Sequence, residues 1–434
     1  MRHRHFLRIA GFGLMMTVFF HVPVMAGEKE RPPNFIFLMA DDLGYGDTGF
    51  NGNRVIRTPN LDAMAKDGIR FTRFYSIGPV CAPTRASVLT GRHYMRFGMM
   101  DVNVGRLPKQ EITLAKVCRA RGYATGHFGK WHLGSMSKME SPRHKNPAKD
   151  YAPPWTRDYD DAFATEISVP TWNPASGKYK QHDSPYWHNG KKVTDNLDGD
   201  DSRVITDRAI PFIQQAISDD KPFMTTIWFH APHSPVVAGP EYLKMYEGYT
   251  EGQQHYYGCI TAMDEQIGRL RSELKRLGVD TNTILWFCSD NGPEGSGKPK
   301  PTYDAYAGAF CGTTGGLRGR KRSLYNGGVC VPAVAVWPGT VTKGQTVNVP
   351  CSTLDYLPTV CEAVGSDRLG DRPIDGESLL PLLLGNMNIR KSHIPFASNI
   401  RLPRAAIIKG DFKLCTNLRV PSSQRFLESF AFLS

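Results

Sequence analysis

The stretch Cys81-Ala82-Pro83-Thr84-Arg85 runs directly into Ala86-Ser87-Val88-Leu89-Thr90-Gly91-Arg92. Proline two positions after the cysteine and the small residues that follow predict a helix that begins at Cys81. A helix start collects backbone N–H groups and the positive end of the helix dipole, so it attracts anions. A cysteine in this place can be a nucleophile, or it can be a small buried residue that happens to precede a helix.

Four apolar runs predict buried strands, because continuous hydrophobic stretches of this length are typical of parallel sheets covered on both faces. They lie at residues 35–40, 223–229, 283–288 and 332–337. Helical patterns alternate with them, at residues 60–67, at 113–121 with Gly122 as C-cap, and at 257–277. The alternation predicts an α/β sandwich with a large, mostly parallel central sheet.

The segments between and after these predicted strands and helices differ from them in composition. Residues 135–200 are rich in Pro, Trp, Tyr and charged residues, and residues 292–316 are rich in Gly, which predicts either loops that shape a substrate pocket or solvated insertions. After residue 365 a leucine-rich stretch precedes two short strand-like pieces, at 403–408 and 412–415. We therefore expect a catalytic domain at residues 27–365 and a smaller C-terminal subdomain at residues 366–434.

The N-terminus predicts export. Three arginines within the first eight residues precede an apolar run, and small or aliphatic residues end it, as in a signal peptide spanning residues 1–26. The run is short for a membrane anchor and contains His21 and Pro23, so we expect a periplasmic or secreted protein without a stable membrane anchor. The net charge is +12, of which +9 remains without this segment, which favours acidic partners such as sulfated glycans. Export argues against nucleic acid.

Polar residues follow three of the predicted strands at their carboxyl ends, the edge at which open α/β sheets bind ligands. The three sequences are Asp41-Asp42, Ser289-Asp290-Asn291-Gly292 and His230-Ala231-Pro232-His233. Each alone has another explanation: the aspartate pair and Asp290-Asn291-Gly292 are also common turn or cap sequences, and a single histidine is usually a hydrogen-bonded core or surface residue. Together, three carboxylates and one amide oxygen predict an all-oxygen site for Ca²⁺ or Mg²⁺, whereas Zn²⁺ would prefer histidine or cysteine.

These motifs, in this order along the chain, resemble the type I sulfatase family, and in particular the arylsulfatases and N-acetylgalactosamine-6-sulfatases. The resemblance covers residues 34–365 and adds three further segments: Gly129-Lys130-Trp131-His132-Leu133-Gly134, Ala231-Pro232-His233-Ser234-Pro235 and Arg318-Gly319-Arg320-Lys321. It implies an alkaline-phosphatase-like fold and the conversion of Cys81 to Cα-formylglycine by a maturation enzyme. In that family the hydrated aldehyde, a geminal diol, is the nucleophile.

The resemblance also implies which residues form the site. Four side chains would hold one Ca²⁺ together with an oxygen of the modified Cys81: Asp41, Asp42, Asp290 and Asn291. Five others would serve the reaction: Arg85 orients the diol, His132 bonds its second hydroxyl, Lys130 and Lys321 bind sulfate oxygens, and His233 protonates the leaving group. His230 is the competitor for the last role. In isolation, Lys130 and the basic run at 318–322 would be typical of a solvated surface.

The implied activity is hydrolysis of sulfate esters, of aryl sulfates or of sulfated carbohydrates. Two other functions stay open: a formylglycine-dependent phosphodiesterase or phosphonate hydrolase, and a non-catalytic protein that binds sulfated glycans. The chain departs from the family at Asn326 and Cys330, and the segment after Cys415 implies an incomplete C-terminal subdomain. The eight cysteines other than Cys81 can pair as disulfides or remain buried thiols.

Overall fold

The computed structural model describes residue 1 and residues 31–300, 302–367, 372–401 and 404–417. The expected signal peptide at residues 1–26 therefore lies outside the described residues, apart from Met1. The described residues from Pro32 onward belong to one compact unit, which contains all the elements given below. No helix among the described residues has the length and apolar character needed to cross a membrane.

The strands of the described residues form one large sheet and two small ones. Their bounds are β1 Asn34–Ala40, β2 Ile69–Phe71, β3 Phe74–Tyr75, β4 Ala124–Lys130, β5 Asp161–Thr165, β6 Trp187–His188, β7 Lys191–Lys192, β8 Phe223–Trp228, β9 Thr283–Ser289, β10 Ala333–Val336, β11 Gln345–Val347, β12 Cys351–Ser352, β13 Ile394–Ala397, β14 Ala405–Lys409 and β15 Phe412–Thr416. The large sheet has ten strands in the order β11-β2-β10-β9-β1-β8-β4-β5-β6-β7.

The centre of this sheet is parallel, as the apolar runs predicted. β9, β1, β8, β4 and β5 run in one direction, so their carboxyl ends meet at a single edge. β10 differs from the expectation, because it pairs antiparallel with both β9 and β2. Hydrophobicity alone does not encode strand direction, and β10 is as fully buried as the parallel strands β1 and β9.

The α-helices cover both faces of the sheet. Their bounds are α1 Pro59–Asp67, α2 Cys81–Thr90, α3 Leu114–Arg119, α4 Asp201–Ser218, α5 Pro240–Lys244, α6 Glu251–Arg276, α7 Ala305–Gly308, α8 Asn326–Val329, α9 Tyr356–Ala363 and α10 Leu380–Leu383. Short 3₁₀ helices lie at Tyr45–Asp47, Gly49–Asn51, Tyr94–Phe97, Pro154–Thr156, Lys180–His182, Asp280–Asn282, Ala309–Cys311 and Thr353–Asp355.

Alternate side chains of β1 divide the core into two layers, because successive residues of a strand point to opposite faces. Phe35 and Phe37 pack in the layer that contains α2, α3 and α9. Ile36 and Leu38 pack in the layer that contains α1, α4 and α6. The predicted α/β sandwich is thus confirmed, with β1 buried on both faces.

Two predicted helices have different bounds in the structure. α6 begins six residues before Tyr257, where Thr250 and Gln253 form a capping box that satisfies free backbone N–H groups. α3 begins one residue later than predicted, because Thr113 is its N-cap and accepts a hydrogen bond from the Lys116 N–H, and it ends two residues earlier, at Arg119. At the start of each helix, capping side chains decide the boundary.

The residues after 365 contribute a small antiparallel sheet in the order β13-β14-β15. Buried side chains from β13 and β14, such as Phe396 and Ile408, belong to the same core layer as α2. The Lys413 ammonium lies 4.8 Å from the Phe396 ring centroid and donates to Asn326 Oδ1. The expected division at residue 365 stays a prediction, as does the incomplete C-terminal subdomain.

All nine cysteines lie among the described residues, and all are free thiols in the structure. Seven of them are buried, including Cys81 and Cys330. Of the two alternatives left open by the sequence, the structure therefore has buried thiols and no disulfide.

Candidate active site

Four acidic or amide side chains meet where β1 and β9 end side by side. Ala40 is paired in register with Ser289, so the next residues of the two strands face each other across the sheet edge. The Asp42 N–H donates to Asp290 Oδ1 over 3.1 Å, and Asn291 Nδ2 donates to Asp42 Oδ1 over 2.7 Å. Asp41, Asp290 and Asn291 are fully buried. The structure thus brings the four predicted oxygen-bearing residues together.

Cys81 lies at the first position of α2 and faces this cluster. Its thiol donates to Asp41 Oδ1 with a sulfur to oxygen distance of 3.3 Å, and the residue is 1% exposed. The helix ends at Gly91, whose φ of +62° places it in the left-handed region that favours glycine. Burial raises the pKa of the Cys81 thiol well above its usual value, and the carboxylates of Asp290 and Asp41 add to that effect. Reactive cysteines normally have the opposite shift.

Arg85 and Lys130 neutralise one side of the carboxylate cluster. The Arg85 guanidinium donates twice to Asp290 Oδ2, over 3.1 and 2.7 Å, and once to the Lys130 carbonyl. Lys130 is the last residue of β4, and its Nζ lies 2.5 Å from Asp41 Oδ2. Both basic side chains are fully buried. Lys130 is therefore not the surface lysine that its isolated position in the sequence would suggest.

Lys321 reaches the cluster from the other side, out of the basic run at 318–322. Its Nζ donates to Asp42 Oδ2 over 2.7 Å, and the residue is only 6% exposed. The next residue, Arg322, has a φ of +74° and turns its guanidinium to both oxygens of Glu294. The run is thus not a uniform solvated face, since adjacent side chains of it have different partners and different burial.

His230 and His233, the two candidates for the leaving-group role, have different contacts. His230 is fully buried, with Nδ1 2.7 Å from Asp201 Oδ2 and Nε2 2.7 Å from Thr165 Oγ1, so both ring nitrogens are already engaged. His233 donates from Nδ1 to the Ser234 carbonyl, and its Nε2 lies 3.7 Å from Asp42 Oδ2. Of the two candidates for the leaving-group role, only His233 presents a ring nitrogen to the carboxylate cluster.

His132 follows β4 in a left-handed backbone conformation, with a φ of +59°. Its Nε2 bonds to Asn103 Oδ1 over 3.1 Å, while its buried Nδ1 has no hydrogen-bond partner among the described residues. An amide oxygen can only accept, so Nε2 carries the proton and Nδ1 is a free acceptor. Burial, with the charges of Lys130 and Arg85, lowers the pKa of His132 well below its usual value and keeps the ring neutral.

The carboxylates do not titrate alike, because each has different neighbours. Burial alone would raise the pKa of Asp41, but the charges of Lys130 and Arg85 outweigh it and lower that pKa well below the usual value. Burial raises the pKa of Asp42 despite Lys321, and it raises the pKa of Asp290 to about 7, where the charge of Asp41 adds to it. An added positive charge would favour all three ionised forms.

A hard cation fits this donor set. Asp41, Asp42, Cys81 and His233 each present a possible ligand atom within 4.8 Å of the others. Asn291 Oδ1 is buried and has no hydrogen-bond partner among the described residues, which is unusual for an amide oxygen and is relieved by a bound cation. The oxygen-rich set of three aspartates and one amide matches the ligand preference of Ca²⁺ and Mg²⁺.

Two polar partners of the site were not found from the sequence. Glu294 accepts from Arg322 and lies 3.6 Å from Lys321 Nζ; burial would raise its pKa, but Lys321 and Arg322 lower it to about 2. Its position two residues after Ser289-Asp290-Asn291-Gly292 was a signal available in the sequence. Asn103, the partner of His132, lies in an irregular segment and offered no such signal.

A cavity of about 750 Å³ opens beside Lys321. Basic side chains dominate its charged lining, among them Arg320, Arg322 and Arg401, with Glu294 as the acidic exception. A cavity of this size admits a substrate larger than the anionic group itself. A cationic cavity therefore lies next to Lys321, whose ammonium group contacts the buried cluster.

An oxygen-rich acidic cluster, enclosed by lysine, arginine and histidine at the carboxyl edge of a mostly parallel sheet, defines a hydrolase for anionic esters. Residues 33–366 match the family model described as Sulfatase, so the chain belongs to the sulfatase family. Arylsulfatase G of Mus musculus is 32% identical over 406 residues, covering 88% of this chain and 75% of that protein. N-acetylgalactosamine-6-sulfatase of Mus musculus is 29% identical over 418 residues, covering 92% of this chain and 75% of that protein.

Among solved structures, that of Ps i-CgsB in complex with k-i-k-neocarrahexaose superimposes with a TM-score of 0.75 at 28% identity. The match covers 89% of this chain and 84% of that one. The predicted family and the alkaline-phosphatase-like fold are confirmed. Sulfatases are sulfuric ester hydrolases, and hydrolysis of sulfate esters is accordingly the activity of this chain.

Proposed function

We propose that the chain hydrolyses the sulfate esters of carbohydrates, with residue 81 as Cα-formylglycine and with one Ca²⁺ at the carboxylate cluster. The observation that carries this proposal is the convergence on one buried point of Cys81, the carboxylates of Asp41 and Asp42, and the ammonium groups of Lys130 and Lys321. A sulfate ester is an anionic and hindered electrophile, so its hydrolysis needs positive charge around the sulfate oxygens and a well-placed oxygen nucleophile.

The properties of Cys81 support its modification. The thiol is fully buried, donates to a carboxylate, and has a pKa that burial raises, so it is held in the protonated form that attacks poorly. An oxygen nucleophile at the same position does not depend on forming a thiolate. Arg85, one helical turn further along α2, is positioned to orient it.

The other residues receive roles from their contacts. Lys130 and Lys321 approach the cluster from opposite sides and would bind sulfate oxygens. The free Nδ1 of neutral His132 would accept the proton of a hydroxyl on residue 81. His233 would hold a proton at Nε2 for the leaving oxygen, and because burial lowers its pKa, the anionic ester must raise that pKa on binding.

The cation would be held by Asp41, Asp42, Asp290, Asn291 and the oxygen on residue 81. When bound, it supplies positive charge that polarises oxygen donors and stabilises negative charge in the transition state. Arg85 would keep Asp290 oriented through its two hydrogen bonds.

Similarity supports carbohydrate as the substrate class. One relative is an N-acetylgalactosamine-6-sulfatase, and Ps i-CgsB was solved with a neocarrahexaose. The positive net charge and the cationic cavity beside Lys321 suit a polyanionic carbohydrate. To test the activity, turnover of an aryl sulfate and an aryl phosphodiester should be compared; a preference for the phosphodiester would instead favour the phosphodiesterase function.

Export is part of the same proposal. We propose cleavage after Ala26, so that the secreted or periplasmic protein begins at Gly27, and contact with a formylglycine-generating enzyme before folding, because Cys81 is buried in the folded chain. N-terminal sequencing of the protein from its host tests the first point. A retained Met1 would contradict it.

We expect the peptide that contains residue 81 to have exchanged sulfur for oxygen and lost two hydrogens relative to its cysteine form. The reason is that a buried, protonated thiol is a poor nucleophile among these residues. Mass spectrometry of protein from the native host measures the conversion. Full activity in a preparation that carries only the thiol at residue 81 would contradict the mechanism.

Ca²⁺ should raise the melting temperature of metal-stripped protein by a few degrees when present at about one hundred times its dissociation constant. Asp42→Asn should lose most of this shift, since it removes one anionic ligand while keeping the side-chain shape. Asp67→Asn, at the end of α1, is the matched control. A larger shift with Zn²⁺ than with Ca²⁺, or an unchanged shift in Asp42→Asn, would argue against this site.

A further inference from the structure

A group of aromatic rings continues outward from His233. The ring centroid of His182 lies 5.9 Å from that of His233, and Tyr306 lies 5.7 Å from His182. Tyr179 packs edge to face with Tyr306 at 5.9 Å. We call His182, Tyr306 and Tyr179 the ring cluster. None of the three is a predicted site residue, and all three are half-buried, so each keeps part of its side chain open to solvent.

Hydrogen bonds hold the segments that carry His182 and Tyr306. His182 Nδ1 lies 3.0 Å from the Ser168 hydroxyl and 3.2 Å from the Ser168 carbonyl, whereas Nε2 has no hydrogen-bond partner among the described residues. Tyr303 donates to the Val236 carbonyl, and the Val236 N–H donates to Ala305, which ties the short helix α7 to the segment after His233. These hydrogen bonds therefore hold Tyr306 and His182 in fixed positions relative to His233.

A cation lies at the outer end of the ring cluster. The Lys178 ammonium is 5.4 Å from the centroid of the Tyr179 ring, within the range of a cation–π contact. Lys178 is exposed and has no acidic partner among the described residues. The order outward from the cluster of carboxylates is thus histidine, aromatic rings, then a positive charge.

This arrangement of a histidine, aromatic rings and an ammonium group suits the binding of a sulfated carbohydrate. The C–H face of a pyranose packs on aromatic rings, its hydroxyls can form hydrogen bonds with His182 Nε2, and a second sulfate can pair with an ammonium group. A ring cluster that served only for packing would not need to stay half exposed next to His233.

We infer that the ring cluster binds the sugar next to the one that carries the scissile sulfate, and that Lys178 binds a further sulfate on that sugar. This inference rests on the proposed function, since it names the substrate class of the same site. The preferred substrates would then be oligosaccharides with sulfate on more than one sugar unit, and not isolated monosaccharides.

The test measures binding separately from turnover. All variants would carry Cys81→Ala, so that the protein cannot hydrolyse the probe. Calorimetry would measure the affinity for a multiply sulfated galactan hexasaccharide and for its desulfated counterpart. Tyr306→Ala and Tyr179→Ala should each weaken binding of the sulfated probe by about tenfold, since each removes one stacking ring. Tyr306→Phe keeps the ring and should retain most of the affinity. Tyr249→Ala, an exposed tyrosine near α6, is the matched control.

Lys178→Ala should weaken binding of the sulfated probe by roughly fivefold, as expected for loss of an exposed ion pair. Binding of the desulfated probe should be unaffected. Unchanged affinity in both ring variants, or equal losses in Tyr249→Ala, would overturn the inference. If wild-type protein turns over an aryl sulfate while the ring variants bind normally, the subsite fails and the activity stands. If no sulfate ester is turned over and binding still depends on the rings, the subsite stands and the proposed function fails.

Discussion

Cys81→Ala should lower kcat/KM for an aryl sulfate by about 10⁴-fold or more, the scale on which removal of a covalent nucleophile acts in other hydrolases. The substitution deletes the atom that contacts Asp41 at the start of α2 and leaves no group that can be oxidised to an aldehyde. Because alanine is smaller than cysteine and the site is buried, we expect the fold to tolerate it. Steady-state kinetics, with the melting temperature as a check on folding, measures the effect.

Cys311→Ala is the matched control, because Cys311 is a half-buried thiol outside the cluster. It should keep near wild-type turnover. Cys81→Ser adds a second comparison: it should be nearly inactive unless the maturation enzyme of the host converts serine. Substantial activity in Cys81→Ala, in a correctly folded sample, would place the nucleophile elsewhere.

The sequence predicted the centre of the sheet and its polar edge for one physical reason. β1 and β9 are continuous apolar runs, and a strand buried on both faces must end where the sequence becomes polar. Asp41 and Asp290 stand immediately after those ends, so their convergence followed from parallel pairing in register. The buried state of Lys130 did not follow from spacing, and only the family resemblance brought it into the predicted site.

Features that depend on long-range contacts were beyond such reasoning. The antiparallel direction of β10 depends on its neighbours, β9 and β2, and not on its own residues. Tyr179 and Tyr306 are far apart in sequence, and the one-turn helix α7 that carries Tyr306 is too short to show a periodic pattern, so nothing local indicates that the two rings meet near His182 and His233. Asn103 likewise contacts His132 only through the path of an irregular segment.

Lys321→Ala should lower kcat/KM by about a hundredfold or more, as does the loss of one donor to transition-state charge in other enzymes. Its ammonium is almost fully buried and lies 2.7 Å from Asp42, so neither solvent nor the neighbouring arginines can replace it. Arg322→Ala is the comparison from the same basic run. Its guanidinium is about one third exposed and bonds to Glu294, so the loss should stay below about tenfold.

The pair should be measured with both an aryl sulfate and a sulfated sugar, because the two substrates separate sulfate binding from sugar binding. If Lys321 touches the sulfate itself, Lys321→Ala must act equally on both substrates, since the sulfate is what they share. A loss confined to the sugar would assign Lys321 to the carbohydrate part of the substrate. Equal and mild losses in Lys321→Ala and Arg322→Ala would show that the run at 318–322 is only a basic surface. Lys321 would then not be one of the groups that bind the reacting sulfate.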